Sequence, residues 1–183
     1  KIYRYIALLK LKNKKNFTYK FLKIKIKNLK LEDLNKKILS NDEIGIMASD
    51  LAKNFTIRKM VHSFQIKCAY YFPKKYNGSC LDGRDITYKI IPDAEFKFFV
   101  TANTKVRALR RFKELKQYKK KVDYKNVLKN IKKRDNSDYN RRISPLKKTH
   151  DSVLINTSNL TKRACFLKIK KIMDKKLKIN GNL

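Results

Sequence analysis

The chain opens on a helical spacing of apolar groups, with Ile2, Ile6 and Leu9 three to four residues apart within residues 2–11. From Phe17 the period changes to two. Phe17, Tyr19 and Phe21 alternate with polar residues, and Leu22, Ile24 and Ile26 continue one position out of phase. That pattern predicts short strands with a bulge or turn at Phe21-Leu22, lysines on the other face, and so a half-exposed sheet. Ser40-Asn41-Asp42-Glu43 has the Ser-x-x-Glu form of a capping box and opens a predicted helix through Ala52. A second helix is predicted from about Thr56 to Tyr71, with Ile57, Met60, Val61, Phe64 and Cys68 on one face.

The second half reads as alternating strands and helices. Ser79–Asp82 and Phe96–Ala102 are predicted as short buried strands, bounded by Asn77-Gly78 and Asn103. Thr104 is placed to cap a helix over Lys105–Lys119, followed by a charged break at Lys119–Val122. Tyr124–Lys133 is predicted helical and Arg134–Arg142 polar and mobile. Val153–Asn156 is a predicted strand, and Leu160–Leu177 a long amphipathic helix. Such alternation implies an α/β fold with a parallel sheet. There is no internal repeat.

Composition narrows the class. At 183 residues with 42% apolar content the chain suits one domain with a core, with room for an inserted lobe. It carries 48 basic and 15 acidic residues, a formal charge of +33. Charge alone points to nucleic acid or an anionic membrane. General over-use of Lys, Asn and Ile, as from AT-rich coding DNA, is the better account of it, and the lysines form no single block. The three cysteines, Cys68, Cys80 and Cys165, are widely spaced with no C-x-x-C, which fits a reducing cytoplasm and no metal-ligating set within this chain. His62 and His150 have no partner pattern. No apolar run approaches the roughly 18 residues of a membrane span. The first residue is Lys rather than Met, so the sequence is expected to begin inside a longer protein.

Against this lysine background, Asp82-Gly83-Arg84-Asp85 stands out. It follows directly on a predicted strand, and in parallel α/β sheets the loops at the carboxyl ends of strands carry the ligand. Gly83 permits a sharp turn or a close backbone approach, and Arg84 offers a planar fork suited to phosphate. A turn with a surface ion pair explains the four residues equally well. The arginines shift the balance. Only 10 of the 48 basic residues are Arg, so each marks a candidate position where a point charge does not suffice. Most cluster: Arg84; Arg107, Arg110 and Arg111; Arg134, Arg141 and Arg142. On a helix Arg134, Asp138 and Arg141 share a face. Arginines with one or two carboxylates suit a nucleotide, the former on phosphate and the latter on ribose hydroxyls or base.

Taken in order, these stretches resemble bacterial cytidylate kinase, a nucleoside-monophosphate kinase family. The similar segments are Tyr3-Arg4, the Ser49…Arg58 pair, Asp82-Gly83-Arg84-Asp85, Pro92-Asp93-Ala94 with Lys97-Phe98-Phe99, Arg107-Ala108-x-Arg110-Arg111, Ile131-x-x-Arg134-Asp135-x-x-Asp138-x-x-Arg141, Pro145-Leu146, and Asp151-Ser152-Val153 with Asn156-Thr157-Ser158. They keep the family order over nearly the whole chain.

The resemblance implies a P-loop NTPase-like parallel sheet flanked by helices. Residues 1–11 would be a core helix, 12–75 an inserted monophosphate-binding lobe, and 76–183 the α/β core with a lid at about 119–142. It implies ATP- and Mg2+-dependent phosphorylation of CMP and dCMP by a monomer, with no specific nucleic acid and no membrane as partner. Arg4, Arg134 and Arg141 match arginines that contact the CMP phosphate or flank the transferring phosphoryl group. Ser49, Arg58 and Asp85 match positions that read cytosine. Asp82, Gly83 and Arg84 belong to the acceptor-site loop, Asp138 matches the carboxylate on the sugar hydroxyls, and Arg110 or Arg111 would lie beside the donor nucleotide. There are two departures. The family usually continues after Asp85 with Ile/Met-Gly-Thr, where this chain has Ile86-Thr87-Tyr88. The only glycines are Gly45, Gly78, Gly83 and Gly181, so no G-x-x-x-x-G-K-[ST] loop is present and the first strand and P-loop are expected to be missing. Alternatives are an inactive nucleotide-binding remnant and a basic RNA- or DNA-binding protein.

Overall fold

The computed structural model describes residues 1–117 and 121–180. It separates into two units: Lys1–Pro92 with Arg134–Lys147, and Asp93–Lys133 with Lys148–Leu183.

The first unit is helical. In α1 (Ile2–Lys12) the buried positions Ile2 and Ile6 lie one turn apart, as the apolar spacing predicts. α1 packs on α3 (Asp42–Leu51), whose Ile44, Ala48 and Leu51 form the facing stripe. Asn41, one residue after the predicted cap, closes the start of α3 by accepting a hydrogen bond from the Glu43 amide at 3.0 Å. Asp42 and Glu43 in that first turn complement the helix dipole. α4 (Phe55–Tyr70) is capped by the Asn54 side chain, which accepts from the Ile57 amide at 2.9 Å, and it buries Ile57 and Val61. These residues, with Leu22, Ile26, Leu29 and Leu39, make the core of the unit.

Three expectations need correction. Residues 19–27 are not strands but helix α2 (Tyr19–Lys27). The alternating run hides a second spacing: Leu22, Ile26 and Leu29 are buried at i, i+4 and i+7, whereas Ile24 is exposed. Thr18 nucleates the helix by accepting from the Phe21 amide at 3.2 Å. Residues 79–82 form no strand. The Ser79 hydroxyl donates to the carbonyl of Ala69 at 2.7 Å, tying the segment to the end of α4 rather than to a sheet edge. Arg134–Asn140 is not irregular but the C-terminal part of α6 (Tyr124–Asn140). That stretch lacks an apolar stripe because its inward face carries charged groups.

In the second unit β1 (Phe98–Thr101) and β2 (Val153–Asn156) pair in parallel, with Phe98 opposite Val153 and Thr101 opposite Asn156. Fully buried Ile155 anchors β2. α5 (Thr104–Lys116) starts at Asn103, whose side chain accepts from the Lys105 amide at 2.9 Å, one residue before the predicted cap. Its Ala108 and Leu115 pack with Val127 of α6. The predicted end of that helix at Lys119 and the first residues of the predicted lid lie outside the described residues. α7 (Lys162–Asn180) follows β2. The whole is a mostly helical α/β chain with a small parallel two-stranded sheet.

An ion pair between Lys97 and Asp151 brackets the entry to both strands, next to the Val153 amide bonded to the Lys97 carbonyl at 2.9 Å. The hydrogen bond from Lys97, then that from Thr149, holds the Asp151 carboxyl down to about 2. An unfolded Asp titrates near about 3.9. The folded value is the lower one, so the stabilisation is complete above about pH 4 and is lost as pH falls through about 2. Asp151→Asn is expected to lower the unfolding midpoint at neutral pH, and the gap to the parent chain should close on acidification through that window. Thermal unfolding from pH 6 to 2 on both chains checks this.

Candidate functional site

All ten residues that the sequence analysis assigned to acceptor binding or catalysis line one cavity of about 190 Å3 in the first unit. They come from α1, α3, α4, the 82–85 loop and the end of α6 with the turn after it.

Two charged groups organise the walls. In the first, Arg58 and Asp85 form a buried ion pair, only 8% and 5% exposed. Arg58 also donates through Nη1 to the carbonyl of Ala52 at 3.0 Å. The Tyr3 ring centroid lies 5.7 Å from the centre of the guanidinium. Asp85 leads into a single wide turn, Ile86–Ile90, closed by the Ile91 amide on the Ile86 carbonyl at 2.9 Å. Wide turns of this type are concentrated at functional sites. The turn carries Thr87, where the resemblance drawn from the sequence leads to the expectation of a glycine.

The second group surrounds Asp138, which is buried. Arg84 Nε donates to its Oδ2 at 2.9 Å. Arg134 Nε lies 3.8 Å from the same oxygen, and Arg141 Nη1 3.7 Å from Oδ1. Burial, then the neighbouring Arg84 charge, lowers the pKa of Arg134. Burial also lowers that of Arg141, against the pull of Asp138. Both stay cationic, because guanidinium groups do not deprotonate in proteins. Arg141 feels Arg58 and Asp85 as well as Asp138, so it links the two groups.

Backbone carbonyls aim two of the arginines. Arg4 Nη1 donates to the carbonyls of Leu39 and Asn41 at 2.7 and 2.9 Å. Gly45 makes room for it, since a Cβ there would stand 2.8 Å from Arg4 Nη2. Arg141 Nε donates to the carbonyl of Ser144 at 2.6 Å. Ser144 is buried in the left-handed region with φ of 52°, a conformation costing a non-glycine residue about 1–2 kcal/mol. The following residues are also tied down, the Leu146 amide to the Asp138 carbonyl at 2.7 Å and the Tyr88 hydroxyl to the Pro145 carbonyl at 2.6 Å.

Ser49 Oγ is buried against the cavity without a hydrogen-bond partner. An unmade buried hydrogen bond costs about 1–3 kcal/mol, and a ligand group would satisfy it. Arg110 and Arg111 stand in the second unit. Arg110 Nη2 donates to the carbonyls of Thr157 and Leu160 at 2.6 and 3.1 Å, fastening the turn after β2. Arg111 pairs with Glu114 at 2.9 Å. Among the described residues no three His, Cys, Asp or Glu side chains form a cluster fit to hold a metal ion.

Sequence reasoning missed Gly45, Ser144 and Gln65. Gln65 lines the same cavity two turns after Arg58 on one face of α4, a spacing legible in the sequence. Nothing in the sequence signals the backbone conformation of Ser144.

Five guanidinium groups and three carboxylates around one cavity, with a waiting hydroxyl, suit a small polar ligand that bears phosphate. The whole-chain comparisons agree with that class. Residues 1–175 match the family described as Cytidylate kinase. A curated cytidylate kinase of Clostridium botulinum is 35% identical over 168 residues, 87% of this chain and 76% of that protein. One of Bartonella tribocorum is 39% identical over 140 residues, 76% of this chain and 63% of that protein. The chain belongs to the cytidylate kinase family, and its helical α/β fold is consistent with a nucleoside-monophosphate kinase.

Gly45→Ala tests the aiming of Arg4. The helix-propensity gain of about 1 kcal/mol offsets the crowding, so the unfolding free energy should change by less than about that amount. The Arg4 fork should nonetheless leave the Leu39 and Asn41 carbonyls, as a crystal structure of the variant would show.

Proposed function

We propose that the first-unit cavity binds CMP and dCMP as phosphoryl acceptors, and that the chain belongs to a kinase that transfers phosphate from ATP to them. The observation that carries this reading is the buried Arg58–Asp85 pair beside the unpartnered Ser49 hydroxyl. Cytosine presents an amino donor at N4 next to acceptors at N3 and O2. Asp85 accepts from the amino group, and Arg58 and Ser49 donate to the acceptors. Uracil would turn O4 toward a carboxylate, leaving acceptor against acceptor in a buried site, and such mismatches discriminate strongly.

The arginine group takes the rest of the nucleotide. Asp138 accepts from the sugar hydroxyls. Arg4, Arg84, Arg134 and Arg141 neutralise the phosphate, and Gly83 with Asp82 shapes the loop that brings Arg84 in. Phosphoryl transfer asks a protein mainly for position and charge neutralisation, so Arg134 and Arg141 are the groups to flank the transferring phosphoryl. The reading assigns residues 12–75 to a monophosphate-binding lobe and about 119–142 to a lid.

The residues in hand do not by themselves fit Mg2+-ATP. There is no G-x-x-x-x-G-K-[ST] loop in the 183 residues, and the described ones hold no metal cluster. Arg110 and Arg111 remain the residues proposed beside the donor nucleotide. The second reading, acceptor binding without turnover by these 183 residues, is favoured by the same missing motif. An in-frame loop of that form in the coding DNA before Lys1 would complete the kinase, as an N-terminal strand and P-loop of the NTPase type.

Asp85→Asn is the direct test. It replaces an acceptor-only carboxylate by an amide that can serve either base. CMP affinity should fall by about tenfold or more, as for loss of a charge-assisted hydrogen bond, and the preference for CMP over UMP should narrow. Calorimetric titration of both nucleotides reads this. Unchanged CMP affinity would remove Asp85 from the base site.

A further inference from the structure

Arg58 stands between two cavities. Besides the acceptor cavity, a second of about 250 Å3 opens on Arg58 and Asp85, and its other walls include Phe55, Lys59, His62 and Lys89. Tyr3, Arg58 and Asp85 border both spaces. The pair that would read the base is therefore not embedded in solid core. It borders two open volumes, as Gln65 also does.

Arg58 makes hydrogen bonds to the Ala52 carbonyl and to Asp85 through N–H groups that point outward in the plane of the guanidinium. In-plane bonds do little against a tilt out of that plane. The Tyr3 ring also meets the guanidinium, 5.7 Å from centroid to Cζ, within the range of a cation–π contact. Tyr3 is itself held by α1, packed against the main apolar cluster of the unit. Its hydroxyl is pushed up to about 12 by burial, so the ring stays neutral across the physiological range. Arg4, the next residue, is fixed by the Leu39 and Asn41 carbonyls, which locks the rotation of this turn of the helix.

We propose that Tyr3 is a specificity-determining positioning residue: its ring holds the Arg58 guanidinium toward the acceptor cavity and keeps it from tilting into the second one. The inference rests on the acceptor-site reading above. It requires the aromatic face, not the hydroxyl. It also weights the effect toward the base, since the ring meets Arg58 directly, while Arg141 of the Asp138 group feels Tyr3 only through its charge.

The test titrates the whole chain with CMP and with UMP by calorimetry, for the parent, Tyr3→Phe and Tyr3→Leu. The ring-retaining Phe variant should keep the CMP-to-UMP affinity ratio of the parent. The Leu variant should lose about tenfold of that ratio, chiefly through weaker CMP binding, as expected on removal of a desolvated cation–π contact. If Tyr3→Leu fails to fold, Tyr3→Met supplies the same comparison, since an unbranched apolar chain fills the space without a π face. A Leu or Met variant that binds both nucleotides more weakly in an unchanged ratio would show Tyr3 to be structural only and overturn the proposal. So would a Phe variant as unselective as Leu. A parent chain that binds neither nucleotide would overturn the acceptor-site reading, and this proposal with it, whereas a selective parent with an indifferent Tyr3 would sink this proposal alone.

Discussion

Three guanidinium groups converge on the single buried carboxylate of Asp138. Like charges so close are tolerable only with a counter-charge, and Asp138 supplies it from inside α6. Asp138 offsets one of them, and Asp135 and Asp82 also act on Arg134, yet around the cavity as a whole five guanidinium groups outnumber three carboxylates. Such a surplus would be stabilised by an anion entering the cavity. The Arg58–Asp85 pair is neutral by contrast, and it offers hydrogen-bond geometry rather than net charge. A phosphate and a heterocyclic base make these two demands within one molecule.

The fold serves that arrangement by holding arginines through backbone carbonyls. Leu39 and Asn41 fix Arg4, Ala52 fixes part of Arg58, and Ser144 fixes Arg141. A carbonyl orients the fork without cancelling its charge, so the cavity keeps its potential. The cost sits in the backbone, in the left-handed Ser144 and in a glycine required inside α3. Strain of this kind persists where surrounding contacts over-determine it, and the tied residues Pro145 and Leu146 do so here.

Much of this was legible in the sequence, for identifiable reasons. α1, α4 and β2 announce themselves by apolar period, and β2 runs over the predicted Val153–Asn156. The arginines were legible because the chain spends lysine wherever a point charge suffices. The ten residues picked out on that basis and on family order line one cavity, although they lie up to 137 positions apart, from Arg4 to Arg141. α2 was not legible, because Phe-Leu-Lys-Ile-Lys-Ile fits periods of both two and four, and only packing on α4 decides between them. The end of α6 was not legible, because its inward face is paired charge rather than apolar surface. Ser144 and Gly45 act through backbone shape, which residue type alone does not encode.

The central claim is that one cavity reads cytosine with Arg58 and Asp85 and holds the phosphate with the arginines around Asp138. A crystal structure of the chain soaked with CMP tests it most directly. The account predicts the N4 amino group within hydrogen-bond distance of the Asp85 carboxylate, the Ser49 hydroxyl newly partnered, and the phosphate against Arg4, Arg84 and Arg141. CMP bound outside this cavity, or within it with the phosphate against Asp85 and the base among the arginines, would contradict the account.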